Sequence, residues 1–169
     1  MSARRTPAEL RGERRPRRHG CWGHLIAAPL WVAYETNLGT LLRTCDAVGA
    51  CLAVPPTPVV RRALARGNTL RVPSCVHWAP RPLRWIEHER EGGAEILAAE
   101  LAHGAVRLGD LAAARRRTVV LLGHERGGVP EEAWPLLDRV VEIPMAGSGA
   151  SLNVAVAGSL VLYRLAGLL

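Results

Sequence analysis

Phenylalanine and lysine are both missing from the 169 residues of this chain. Without Phe, the core has to be assembled from Leu, Val, Ala and a few Trp. With Lys absent, all 22 basic residues are Arg, and they outnumber the 15 acidic ones to give a net charge of +7. A compositional bias accounts for Arg in place of Lys but not for the excess of base, which favours a polyanionic partner. Cysteine is sparse: Cys21, Cys45, Cys51 and Cys75 form no CxxC pair, and no His stands at metal-ligand spacing from them. The expectation is therefore reduced, mostly buried thiols in a cytoplasmic protein, with no metal. No apolar run follows the N-terminal Arg residues, and Ser159, Tyr163 and Arg164 interrupt the apolar C-terminal segment, so neither a signal peptide nor a membrane span is expected. GxGxxG is also missing, as is any Gly-Lys-Ser/Thr ending, which argues against nicotinamide dehydrogenases and P-loop NTPases.

What is present divides at about residue 20. Seven Arg face two Glu between Arg4 and Gly20; residues 1–20 are expected to form a disordered tail that either touches RNA or serves as a solubilising arm. Residues 21–169 suit one globular domain, since 49% of the chain is apolar. Leu25 to Glu35 reads as a buried strand running into a polar turn. Thr36 to Ala50 reads as a helix capped by Thr36 or Asn37, with Leu38, Leu41, Leu42, Cys45 and Val48 at helical spacing and Gly49 closing it. Cys51 to Val54 is a second strand, and Val59 to Arg66 a helix stopped by Gly67-Asn68. Pro73 to Pro82 reads as irregular, and Leu83 to Arg90 as helical. Strands are expected at Ala94–Leu101, Thr118–Leu122 and Arg139–Ile143, with helices at Pro130–Leu137 and from Ser151 onward. The run VVLLG is apolar on both faces, as the centre of a parallel sheet requires. Alternating strands and helices indicate an α/β fold with a mostly parallel sheet flanked by helices.

Three stretches combine glycine with a few polar residues at strand-to-helix junctions: Asn37–Ala50, Leu121–Pro130 and Ile143–Leu165. In open parallel sheets, ligands sit beyond the carboxyl ends of the strands. Gly127-Gly128 permit close approach of backbone to a ligand, or a turn through positive φ. Ala146 to Ser151 presents almost only main chain, which suits an adenine edge or a ribose. Asn153 offers a donor and an acceptor at its mouth. Taken singly, each stretch also fits a plain reading: a glycine turn with a solvent-facing Glu125, or a loop with Ser151 as helix cap and Asn153 in the first turn.

Together the pattern is more specific. Asn37-x-Gly39-x-x-x-Arg43-Thr44-x-Asp46, then Gly123-x-Glu125-x-x-Gly128, then Ile143-Pro144-Met145 and Ser151-Leu152-Asn153-Val154 resemble the three ordered motifs of the SpoU/TrmH family of SPOUT RNA methyltransferases. The likeness covers nearly all of Leu25 to Leu169. It implies methyl transfer from S-adenosylmethionine to a ribose 2′-hydroxyl of tRNA or rRNA, a C-terminal deep trefoil knot, and a homodimer. By the same likeness, Leu122, Gly123, Ile143, Met145, Ser151 and Leu152 would hold the cofactor. Asn37, Arg43, Glu125, Ser151 and Asn153 would line the catalytic side. The closing helix, apolar nearly all round, must be buried on more than one side; a dimer contact or a fully intramolecular central position would each do this.

Family proposals assign activation of the target to the first-motif Arg, here Arg43. A guanidinium keeps its proton at ordinary pH, so Arg43 reads better as a group that orients the target through a phosphate, steadied by Glu125 or Asn37. His124 holds no role in the family. His77-Trp78 and Trp85 offer either a stacking surface for a base or core packing. Many members carry an additional N-terminal RNA-binding domain, whereas about twenty Arg-rich residues precede the first expected strand here. GHERGGVP, with Arg126, looks like the branch acting on tRNA, whereas IPMAGS looks like members acting on 23S rRNA; tRNA is the favoured reading. Two other readings compete: an RNA-binding protein that keeps the fold without catalysis, and an unrelated nucleotide-binding α/β enzyme.

Overall fold

The computed structural model describes residues 24–68, 75–149 and 151–169. The expected tail over 1–20, and Cys21, lie outside those residues. Seven strands form one sheet: β1 (Leu25–Ala28), β2 (Cys51–Val54), β3 (Val76–Trp78), β4 (Glu95–Ala99), β5 (Val106–Arg107), β6 (Thr118–Leu121) and β7 (Arg139–Glu142). Their order is β3-β2-β1-β6-β4-β7-β5, and every pairing is parallel. Helices α1 (Glu35–Val48), α2 (Pro58–Gly67), α3 (Pro82–Glu91) and α4 (Val154–Leu165) cover it, so the expected parallel α/β architecture holds.

Alternation along the strands builds two cores, one on each face. Leu25 and Ala27 of β1, Leu52 and Val54 of β2, and Val120 of β6 join Leu38, Leu41 and Leu42 of α1 and Val161, Leu162 and Leu165 of α4 on one side. Ile26, Cys51, Ala53, Ile96, Val119 and Leu121 meet Ile86 of α3 and Ala133 on the other. Two glycines set the spacing of the helices on the first face. A Cβ on Gly67 would lie 2.4 Å from the Gly39 Cα, so α1 and α2 touch backbone to backbone. A Cβ on Gly158 would stand 2.7 Å from Leu122 Cδ1 and 2.9 Å from Leu41 Cδ2, so α4 packs directly on β6 and α1.

Several expectations need correction. Helix α1 begins at Glu35 with Tyr34 at its cap position and no side-chain cap, so Asn37 lies inside the first turn, buried; Gly49 does close it, at φ 74°. Gly67 is the last helical residue of α2 rather than its stop, because the Gly39 contact needs it there. The segment expected to be irregular contains β3, whose three residues pair with β2, and β5 was not anticipated. Glu131–Leu136 is a 3-10 turn, not an α-helix. Pro135 within it has no N–H to donate and crowds the preceding turn. Finally, α4 starts at Val154, not Ser151: Asn153 is its N-cap, accepting from the Ala155 and Val156 amides on Oδ1.

Candidate functional site

Residues after β1, β4, β6 and β7 converge beyond the carboxyl ends of those strands, where β6 returns between β1 and β4 and the strand order reverses. This is the place an open parallel sheet offers a ligand. The loop after β6 closes on itself. The His124 N–H donates to the Gly128 carbonyl (2.9 Å), and the Gly128 N–H returns to His124 (2.8 Å). Gly128 takes φ +66°, which favours glycine. Gly123 is required for a different reason: a Cβ there would fall 2.2 Å from the Gly128 carbonyl carbon and 2.4 Å from the Val129 nitrogen. The His124 ring is engaged inside the loop, its Nδ1 accepting the Arg126 N–H at 3.1 Å.

Glu125 points from this loop to the start of α1. Its Oε2 accepts the Ala33 N–H (3.0 Å), and its Oε1 accepts the Tyr34 N–H (3.1 Å) and the Asn37 side-chain amide (2.7 Å). Burial alone would raise this carboxyl, but those hydrogen bonds, with that from its own backbone amide, outweigh it and hold the group below the ordinary carboxylate range. Asn37 passes the link on, its Oδ1 accepting from Asn153 Nδ2 at 3.0 Å. Glu125, Asn37 and Asn153 therefore form one continuous chain of hydrogen bonds. It joins the loop after β6, the first turn of α1 and the N-cap of α4, through contacts that span 88 and 116 positions of the chain.

Beside this chain lies a cavity of about 250 Å³, just below the ~300–1,000 Å³ typical of small-molecule sites. Leu122, Gly123, Ile143, Met145, Ser151 and Leu152, the six residues expected at a cofactor, all line it. Glu125 and Arg126 border it as well. Arg43 does not: it is exposed on α1, beside a groove formed with Glu35, Thr36, Gly39, Thr40 and Arg66. Six residues along a helix turn it by about 600°, which leaves Arg43 about 120° around α1 from Asn37. Glu125 and Asn37, the residues expected to steady the guanidinium, are hydrogen-bonded to each other. Glu100 was not anticipated. It lines the cavity, and its Oε1 accepts the Val129 N–H at 2.8 Å, clamping the far side of the glycine loop. The signal available for it was a carboxylate at the carboxyl end of a parallel strand. Trp78 and Trp85 are not in the cavity lining; Trp78 carries Arg61 over its ring at 4.3 Å, and Trp85 packs near His77.

A parallel sheet with a cavity at its topological switch, bridged by an amide–carboxylate chain, defines an α/β protein whose candidate ligand site lies there. The chain belongs to the SpoU rRNA Methylase family, whose sequence profile matches residues 30–163. The tRNA (guanosine(18)-2'-O)-methyltransferase of Escherichia coli is 35% identical over 132 residues, covering 76% of this chain and 56% of that protein. The 23S rRNA (uridine(2479)-2'-O)-methyltransferase of Streptomyces viridochromogenes is 32% identical over 140 residues, 76% of this chain and 47% of that protein. Among solved structures, the AdoMet bound rRNA methyltransferase from Sinorhizobium meliloti superposes with a TM-score of 0.68 at 27% identity, over 88% of this chain and 60% of that one. The chain thus spans about half the length of the curated relatives it matches. Family membership read from the three motifs is confirmed.

Proposed function

We propose that this chain transfers a methyl group from S-adenosylmethionine to a ribose 2′-hydroxyl of RNA, with tRNA the favoured substrate and rRNA the alternative. The observation that carries this reading is the cavity bounded by Gly123, Ile143 and Leu152, with the Glu125–Asn37–Asn153 chain at its rim. Family membership, and relatives named for ribose 2′-O-methylation of both RNA classes, support it.

The lining suits the cofactor. Leu122, Ile143, Met145 and Leu152 offer apolar surface to a purine face, while Gly123, Ser151 and the exposed main chain of 144–149 offer backbone polar groups. When bound, S-adenosylmethionine supplies an electrophilic methyl on a sulfonium. The chain's own residues supply position. Asn153 anchors its oxygen on the amides of α4 and its nitrogen on Asn37, so neither amide rotates freely. Glu125 is committed to three donors, which makes it a brace between loops rather than a base. Arg43 lies outside the lining, so its proposed role is to fix the target through an RNA phosphate.

The knot, with 146–151 as its loop, and a homodimer belong to the same proposal. Val156 of α4 is about half exposed; the proposed contact with a second copy runs through this C-terminal helix. Among the described residues no helix is long and apolar enough to cross a membrane, which is in keeping with the cytoplasmic setting proposed. Incubation with labelled cofactor and total RNA, then nuclease digestion, tests the reading. A labelled 2′-O-methyl nucleoside from the tRNA fraction is expected. Cofactor binding without label in any ribose overturns it in favour of an RNA-binding protein without catalysis.

A further inference from the structure

On the sheet edge remote from the cavity, two cysteines and a histidine converge. The register that pairs Leu52 with Val76 and Ala53 with His77 places Cys51 level with Cys75. The Leu52 N–H donates to the Cys75 carbonyl at 2.9 Å, which ties the two levels together. Neighbouring strands lie ~4.8 Å apart and side chains alternate between faces, so Cys51, Cys75 and His77, two residues beyond Cys75, must all project from the same face. That is the face of Ile86 and Ala53, where Cys75 and Trp85 pack at the margin. The ligand atoms of the three side chains all lie within 4.8 Å of one another.

We propose that Cys51, Cys75 and His77 form a Zn²⁺ site that clips edge strand β3 to β2, with the fourth position left to water. Two thiolates and an imidazole are the donor set that zinc selects. Metal–sulfur and metal–nitrogen distances of ~2.3 and ~2.1 Å at a tetrahedral angle put sulfur and nitrogen about 3.6 Å apart. Cys75 Sγ and His77 Nε2 stand 3.6 Å apart. The wider separations close by rotating side chains on a fixed backbone. Cys75 and His77 are half-buried, so an ion can reach the site, and Cys51 is buried beneath them. The adjoining charges cancel: Arg117 grips the Glu89 carboxylate through two hydrogen bonds, at 2.6 and 3.0 Å. A metal gives a three-residue edge strand the tertiary anchor that its few ladder bonds do not. Spacing along the chain could not reveal the set, because Cys51 and Cys75 meet only through the β2–β3 register.

The test uses the full chain, reduced and stripped by a chelator, titrated with Co²⁺ and then challenged with Zn²⁺. A single equivalent of Co²⁺ should raise a thiolate-to-metal charge-transfer band with tetrahedral d–d bands, and Zn²⁺ should bleach both. Cys75→Ser and His77→Ala, each checked for native circular dichroism, should weaken Co²⁺ binding by at least about a hundredfold, the upper end of what losing even a second-shell partner costs. Cys45→Ser should leave the titration unchanged, since that thiol lies in the opposite core and burial pushes it up to about 12. A chain that shows no thiolate band, or that keeps the band in both ligand variants, overturns the assignment.

Discussion

The loops after β6 and β7 are both poor in side-chain bulk, both hang beyond the carboxyl end of the sheet, and both border the same cavity. Their glycines nevertheless answer to different constraints. In the loop after β6 the backbone is folded against itself: Gly123 lies where a methyl group would collide with the Gly128 carbonyl, and Glu100 and Glu125 brace the loop from either side. In the loop after β7, a Cβ on Gly147 would meet nothing within 4 Å, and one on Gly149 only the tip of Met145 at 3.4 Å. One loop uses glycine for internal closure. The other leaves open surface, which becomes useful only against a ligand. A glycine-rich stretch in a sequence therefore carries two distinct messages, which mutation separates.

Gly123→Ala should give the largest effect. The added methyl meets backbone at 2.2 to 2.6 Å, which side-chain motion cannot relieve, so the loop must open. A loss of roughly 3 kcal/mol or more is expected, in the range tied to overpacking. Denaturant unfolding measures it, and a variant within 0.5 kcal/mol of the parent, a margin typical of neutral surface changes, would show that the loop yields more readily than its contacts indicate.

Glu125→Gln comes next. A glutamine presents an NH₂ where the carboxylate accepted, so the Ala33 N–H or the pair from Tyr34 and Asn37 loses its partner. A cost of about 1 to 2 kcal/mol follows for a partly exposed group, with methyl transfer falling further because Asn37 is released. The pH profile gives an independent check. Because the folded-state pKa of Glu125 is lowered, its contribution is present above the ordinary carboxylate value and is lost as pH falls through the lowered folded value. The parent should therefore lose stability on acidification more steeply than Glu125→Gln. Parallel acid limbs would mean that the brace carries no charge-dependent stability.

Much of this frame was legible beforehand, and the failures have physical causes. VVLLG announced a central parallel strand because both of its faces are buried. The three motifs brought Asn37, Glu125 and Asn153 together on paper, and the structure joins them by hydrogen bonds. Strands β3 and β5 were missed because three- and two-residue strands carry too little periodicity and exist through pairing alone. The caps were misplaced because Thr36, Asn37, Ser151 and Asn153 are all competent cap formers, whereas α1 starts after Tyr34 with no side-chain cap and α4 takes Asn153. Arg43 borders a groove of its own rather than the cavity, because a helix distributes the members of a motif around its axis.

Asn153 distinguishes a local role from a bridging one. Asn153→Ala removes the N-cap and the Asn37 contact together, for about 1 kcal/mol. Asn153→Asp keeps the cap, since an aspartate accepts from the Ala155 and Val156 amides as well as asparagine does. It sets a carboxylate oxygen against Asn37 Oδ1 in place of the present donor. The Asp variant should therefore unfold within about 0.5 kcal/mol of the parent while losing transfer activity as fully as the Ala variant. Equal activity in the Asp variant and the parent would reduce Asn153 to a helix cap.

Gly147→Ala should have the smallest effect on stability and is the sharpest probe of the open loop. The position has open space and a backbone that does not need positive φ, so folding should be unchanged to within about 0.5 kcal/mol. Unfolding free energy and S-adenosylmethionine affinity, measured by calorimetry on the same preparation, then separate the two uses of glycine. Weaker binding at constant stability means that the absence of a side chain at 147 serves the ligand. Unchanged binding means that the cofactor is held by the braced loop after β6 and the apolar wall of Leu122 and Ile143, and that the loop after β7 spends its smallness on RNA or on a second copy of the chain. A fall in stability would erase the contrast, since both loops would then be glycine-locked by their own folding.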